Sequence, residues 1–234
     1  MGDWPGRFQK EWGQKMKASY FLKSGMLALA ALVAFIVAYP HLPEQMPIHW
    51  NWRGEVDGYG SRWALLLMGP GLMLGAITLF SVLPWLSPKR FEVDVFQPTY
   101  LYLMLIVVAI SGYFFAVVLW AALTGSVDAF RIILGGVSVL IALIGNVMGK
   151  VRRNFFIGIR TPWTLASERV WYATHRLAGK LMVGTGFICL IVAWIGAAPW
   201  IWITLLLAGL LAPVPYSLFY YKKLEKRGEL DVAM

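Results

Sequence analysis

The stretch that decides the fold is YLYLMLIVVAISGYFFAVVLWAAL, Tyr100–Leu123. It contains no charged residue, and about 20 apolar residues in a helix are enough to cross roughly 30 Å of hydrocarbon. The segment therefore reads as a transmembrane helix. Two further runs of this kind precede it, Tyr20–Tyr39 and Trp63–Leu86. Three follow it: Phe130–Met148, Leu177–Ala197 and Trp200–Tyr220. Lys23 lies close enough to the start of the first run to snorkel to the interface. Pro213 and Pro215 predict a kinked or shortened end to the last run. Only Ala198 and Pro199 separate the fifth from the sixth, which fits a tight helical hairpin. Of the 234 residues 59% are hydrophobic and 14% charged, with a mean hydropathy of +0.64. Soluble domains average about 45–50% and 25%, so an ordinary soluble enzyme is excluded. The reading is an all-α integral membrane protein, a six-transmembrane-helix bundle. The single cysteine, Cys189, has no internal partner and reads as a small buried apolar residue.

Charge orients the bundle. With the N-terminus placed inside, 18 of the 21 Lys and Arg fall in inside segments, and only Arg53, Arg62 and Arg131 remain outside. The positive-inside rule then predicts both termini in the cytoplasm. The net charge of +9 is thus a topology signal and gives no reason to expect direct nucleic-acid binding. A cleaved signal peptide is the rival reading of the first run, but Val37-Ala38-Tyr39-Pro40 offers no small-residue cleavage site. Residues 1–19, with Trp4, Phe8, Trp12 and Met16 leading to Tyr20 at four-residue steps, read as an amphipathic helix on the inner membrane surface. Residues 222–234 form a mixed-charge cytoplasmic tail. Inside the spans ionisable groups are nearly absent, apart from Asp128 and Arg131 at the outer end of the fourth. Asn146 is the amide within a span. That argues against an ion-coupled exporter, which carries such groups at membrane depth. Gly71-x3-Gly75 and Gly145-x3-Gly149 are expected to let helices pack closely.

Two connections carry more pattern than a simple turn needs. The outer one, residues 40–62, joins three prolines (Pro40, Pro43, Pro47) to Trp50, Trp52, Gly54, Gly58, Tyr59 and Gly60, and reads as an ordered cap over residues 20–123. It also holds His41, Glu44, His49 and Asp57. Imidazole and carboxylate suit zinc, but the His41-x7-His49-x7-Asp57 spacing matches no compact ligand motif. The plainer reading is that His49 and Asp57 hydrogen-bond within the loop and fix its fold. The inner connection, residues 149–176, lies within the second membrane region, 124–221. Thr161 before Pro162 predicts a helix N-cap with proline in the first turn, and the helix is expected to continue into the fifth span. Glu168, Trp171 and His175 then share one face. Anchoring to anionic membrane lipid accounts for Lys150, Arg152 and Arg153, at about 1 kcal/mol each. It accounts less well for Arg160-Thr161-Pro162-Trp163, for which a docking surface is the sharper reading.

At these two loops the sequence resembles the SdpI family of bacterial integral membrane proteins. The resemblance rests on Asn146, Gly149-Lys150, Asn154, Gly158-Ile159-Arg160-Thr161-Pro162-Trp163-Thr164-Leu165, Trp171, Thr174-His175 and Gly179. Leu42-Pro43, Pro47, His49-Trp50, Gly54, Asp57 and Tyr59 are similar to the uncharacterised N-terminal domain commonly joined to that family. The resemblance implies a multi-pass protein of the bacterial cytoplasmic membrane giving immunity against a secreted peptide toxin. It also implies a signalling role through recruitment of a cytoplasmic transcriptional repressor. On that reading His49, Trp50, Gly54, Asp57 and Tyr59 form the outer, toxin-facing surface. Asn154, Gly158, Arg160, Thr161, Pro162, Trp163, Trp171 and His175 form the inner docking motif. No catalytic residue or cofactor is expected. The alternative is a metal-dependent hydrolase of peptide or lipid using His41, Glu44, His49 and Asp57, although no HExxH, GxSxG or P-loop pattern is present.

Overall fold

The computed structural model describes residues 4–51, 53–87, 93–125 and 128–231, with the backbone alone for 4–12, 94 and 129. Trp52, Lys89 and Arg90, and the side chains of Trp4, Phe8 and Trp12, therefore lie outside the described residues. Six helices are long and apolar enough to cross a membrane. The first, α1 (Trp4–Ala38), runs unbroken from the amphipathic segment into the apolar one, so the expected surface helix and first span are continuous. A turn of 3-10 helix, Tyr39–His41, leads to two short strands, β1 (Gln45–Trp50) and β2 (Val56–Ser61). The second span is composite: α2 (Arg62–Leu66), a π-helical turn at Leu67–Gly71, and α3 (Leu72–Leu86). Pro70 sits inside that turn, where its missing N–H interrupts the α-helical ladder. Then follow α4 (Gln97–Thr124) and α5 (Ala129–Met148). The remaining helices are α6 (Pro162–Ala166), α7 (Glu168–Trp194), α8 (Pro199–Leu211) and α9 (Pro213–Lys226). The sixth span breaks at Ala212, immediately before Pro213, as its prolines predict.

Three buried clusters hold the bundle together. One joins α1, the strands, α2, α3 and α4 through Ala31, Phe35, Met46, Leu65, Met73 and Phe115. A second joins the start of α4 to the end of α5 and to α7 through Tyr100, Met104, Met148, Val151, Trp171 and Met182. The third, around Cys189, Ala193 and Trp202, joins α7 to α8, with Leu134 and Val137 of α5 packed against it. Lipid supplies no hydrophobic force between helices, so close approach and hydrogen bonding carry the association. Between α5 and α7 the approach brings glycine against backbone. A Cβ on Gly145 would lie 2.7 Å from the Met182 Cβ, and one on Gly186 would lie 2.7 Å from the Ser138 carbonyl. Gly145 thus does what its spacing predicts. Gly75 has nothing within 4 Å of a built Cβ, so the Gly71–Gly75 pair is not a helix contact.

The ordered cap expected of the outer connection is a β-hairpin, with Gln45 opposite Ser61 and Trp50 opposite Val56. Pro47 in one strand and Gly58 and Gly60 in the other are residues that weaken a strand signal. Burial of Met46 at the α4 side compensates. The helix beginning at Pro162 does not continue into the fifth span. Ser167 is extended (φ −135°, ψ 128°) and its side chain accepts from the Val170 N–H, starting α7 afresh.

Candidate functional site

Contacts sort the connections into two ends. At the hairpin end, Gly54 lies against Phe130 of α5, and Gly196 against Arg131. At the loop end, residues 150–167 meet the start of α7 and the C-terminal tail.

The hairpin is built on Asn51. Its Oδ1 accepts from the N–H groups of Arg53 (2.8 Å) and Glu55 (3.1 Å), and its Nδ2 donates to Glu55 Oε2 (2.9 Å). Gly54 takes the left-handed φ of +81° that completes the turn. Along the strands the His49 Nδ1–H donates to Asp57 Oδ1 at 2.5 Å, so the two residues expected to bond within the loop bond to each other. Gly58 makes room for it, since a Cβ there would stand 2.7 Å from that of His49. Trp50 packs half-buried against the core, while His49, Asp57 and Tyr59 are exposed. The four metal candidates do not gather: among the described residues no three of His, Cys, Asp and Glu come close enough to share an ion.

The loop end is an interior folded around two polar side chains. Asn154, buried, uses both faces of its amide. Nδ2 donates to the carbonyls of Arg152 (2.8 Å) and Ile157 (3.1 Å), and Oδ1 accepts from the N–H groups of Phe156 (2.7 Å) and Ile157 (2.8 Å). His175, also fully buried, donates from Nδ1 to the Trp171 carbonyl (2.7 Å) and accepts at Nε2 from the Ile159 N–H (3.0 Å). Those two bonds together fix the neutral Nδ1–H tautomer. The His175 ring stacks on Trp171 at 4.0 Å between centroids, and the Trp171 Nε1–H donates to the Val151 carbonyl at 2.8 Å. Gly158 has φ +113°, and a Cβ there would sit 2.3 Å from His175 Nε2. The backbone reaches the histidine only because residue 158 has no side chain.

Thr161 caps α6 as its position before Pro162 predicts, and Thr164 returns the bond in a capping box. The Thr164 hydroxyl donates to the Ile159 carbonyl at 2.8 Å. Trp163 donates to Ser217 Oγ on α9. Arg152 lies over the Tyr172 ring, 5.3 Å from its centroid, and donates to its hydroxyl, a bond that pushes the arginine pKa above its ordinary value.

Of the eight residues expected to form a docking motif, Asn154, Trp171 and His175 are buried, and Gly158, Thr161 and Trp163 half-buried. Only Arg160 and Pro162 are exposed, and the Arg160 guanidinium donates to the Phe155 carbonyl. The expected Glu168–Trp171–His175 face divides in the same way, since Glu168 is exposed.

Sequence reasoning passed over the tail. Asp231 takes a bond from Ser167 Oγ and another from the Arg169 N–H (3.1 Å), so its carboxylate sits at the N-terminus of α7, where the helix dipole favours negative charge. Glu229 receives the Arg169 guanidinium on its carbonyl (2.8 Å) and its carboxylate (3.3 Å). The available signal was a pair of acids following the basic run Lys222–Arg227.

Comparison with known proteins falls on the same two regions. Residues 150–218 match the SdpI/YfhL protein family, and residues 26–74 match DUF1648, a domain of unknown function. Across 202 residues the chain is 29% identical to the Immunity protein SdpI of Bacillus subtilis (strain 168), covering 85% of this chain and 94% of that protein. No solved structure matches. The region that builds the Asn154–His175 loop is thus similar to the SdpI/YfhL protein family, and the region that holds the hairpin ahead of it is similar to DUF1648.

Proposed function

We propose that the chain is an immunity protein of a bacterial cytoplasmic membrane, protecting against a secreted peptide toxin. The observation that carries this reading is its correspondence with the Bacillus subtilis immunity protein along nearly the whole of that protein. The two separately matched regions also fold into the hairpin and the loop site, the two places where buried or paired polar groups fix local geometry. The distribution of Lys and Arg supports an orientation with both termini in the cytoplasm. The hairpin end then faces outward and offers the exposed His49, Asp57 and Tyr59 to the peptide. The loop end faces the cytoplasm. A repressor recruited there would meet Arg152, Phe155, Arg160 and Pro162, with Asn154, Gly158, Trp171 and His175 holding that surface in shape. Protection works on this reading by binding the peptide, without a reaction. Expression in a strain sensitive to the toxin of the Bacillus subtilis relative tests it. Cells should survive doses that kill the vector control, and equal killing refutes the assignment.

A further inference from the structure

Along its membrane-facing side the bundle holds a trench of about 900 Å³. Its floor is α5 and its walls are α4 and the last turns of α7. Ala109 and Tyr113 line one side, Leu190 and Trp194 the other, and Gly135 and Val139 the floor. Gly135 looks toward Leu190, which is 3.7 Å from a built Cβ, and neighbouring Gly136 lies under the Tyr113 ring. The floor thus has no side chain at Gly135 and Gly136, where Leu190 and Tyr113 approach it. The lining runs from Asp128 to Leu143, about 22 Å of helix at 1.5 Å per residue. Flanked by three helices, the trench has the shape of a vacant helix position.

Two observations choose the occupant. The trench is longer than the ~15 Å depth of one lipid leaflet, half of the roughly 30 Å core, so a lipid tail entering from its mouth leaves its lower part open. At the mouth Arg131 is already neutralised by Asp128 at 2.9 Å, so nothing there draws a phosphate. A helical peptide satisfies its own backbone in lipid and asks only for apolar walls and a neutral polar end. The hairpin also reaches this mouth: its tip at Gly54 rests on Phe130, in the first turn of α5.

We infer that the trench is the seat of the secreted peptide, an apolar helical segment of which lies along α5 between α4 and α7, beneath the hairpin. The inference rests on the immunity reading and names where the toxin binds. Ala109→Trp and Val139→Trp test it, because both side chains open onto the trench and neither belongs to a buried cluster. Leu79→Trp, on an exposed face of α3 that does not line the trench, is the control. A tryptophan at either position takes up space the peptide would occupy, so each trench variant should lower the tolerated toxin dose about tenfold. Membrane abundance and melting in detergent should stay at wild-type values, and the control should protect fully. A photoreactive benzoylphenylalanine at Ala109 or Val139 should crosslink to the toxin peptide protected against by the Bacillus subtilis relative. Toxin adducts formed only when the photoreactive residue stands at Tyr59 instead, adducts only to lipid or to a second copy of the chain, or full protection by both Trp variants overturn the trench while the immunity reading stands. A wild-type protein that fails to protect removes both.

Discussion

Gly158→Ala is the sharpest test of how the loop end is held. The added Cβ would stand 2.3 Å from His175 Nε2 in a backbone with φ +113°, so two costs combine. Holding a side chain at such a φ costs about 1–3 kcal/mol. To relieve the collision the chain must leave the histidine, which breaks the Ile159 N–H···Nε2 bond and leaves a buried imidazole nitrogen without its donor. An unsatisfied buried group costs about 1–3 kcal/mol. The sum, roughly 2–6 kcal/mol, is large against a typical stability of 5–15 kcal/mol, and it is local to residues 150–166. The expected result is therefore loop opening with the membrane helices in place. Limited trypsin treatment in detergent should cleave after Arg152, Arg153 or Arg160 much faster than in wild type, while the helical circular-dichroism signal is retained. Wild-type cleavage rates together with a wild-type melting curve would refute the claim that the glycine–histidine contact fixes the loop.

Asn154→Ala removes four hydrogen bonds at once and should open the same loop, at a cost of about 2–4 kcal/mol read by the same proteolysis. Asn154→Asp, which keeps only the acceptor, should open it less. Asp231→Asn should speed amide exchange in the first turn of α7, with a small stability cost of about 0.5–2 kcal/mol, and unchanged exchange at Val170 would dismiss the tail contact. Trp202→Phe deletes the buried 2.9 Å bond to Ser138, yet should cost only about 0.6 kcal/mol because hydrogen bonds between membrane helices are weak in net terms. A loss of several kcal/mol in unfolding measurements would contradict that. In intact cells a Cys at Tyr59 should react with an impermeant maleimide and one at Arg160 should not, Cys189 being buried; the reverse pattern overturns the orientation.

The spans were legible because length and apolarity are all that hydrocarbon demands, and the Thr161-Pro162 cap because its chemistry is local. That His49 and Asp57 bond within the loop was legible as the plain alternative to a metal site, while their pairing with each other was not. The hairpin was not, since Pro47, Gly58 and Gly60 erase the alternation that marks a strand, and its stability comes from Met46 buried on α4. Nor was the break at Ser167, where a serine inside a helical pattern carries two readings, and in the fold it caps Val170 while donating to the tail carboxylate of Asp231. Most instructive is the loop motif. Residue types that suggest a docking surface (Asn, Trp, His) turn out to be inside, because the same groups that recognise partners also satisfy a buried backbone. Sequence reveals that Asn154 and His175 have partners but leaves open whether those partners are in the chain.

That inward use of the motif constrains how the loop end would signal. Trp171 and His175 are buried, so a repressor of the kind proposed would have to read a change in the shape of the surface they support. The route is short in mechanical terms. α5 forms the trench floor and leads straight into residues 149–161, while α7 carries Leu190 and Trp194 at the trench and Trp171 and His175 at the loop. The two helices meet glycine to backbone at Gly145, Gly179 and Gly186, a contact too close to slide without repacking. On the proposed reading a peptide seated in the trench would press on this pair of helices, and the loop strung between them would follow. Adding the toxin to purified protein should change the rate of trypsin cleavage after Arg160. A rate indifferent to the peptide, with protection intact, would mean that the two ends act independently and that immunity alone is the trench's work.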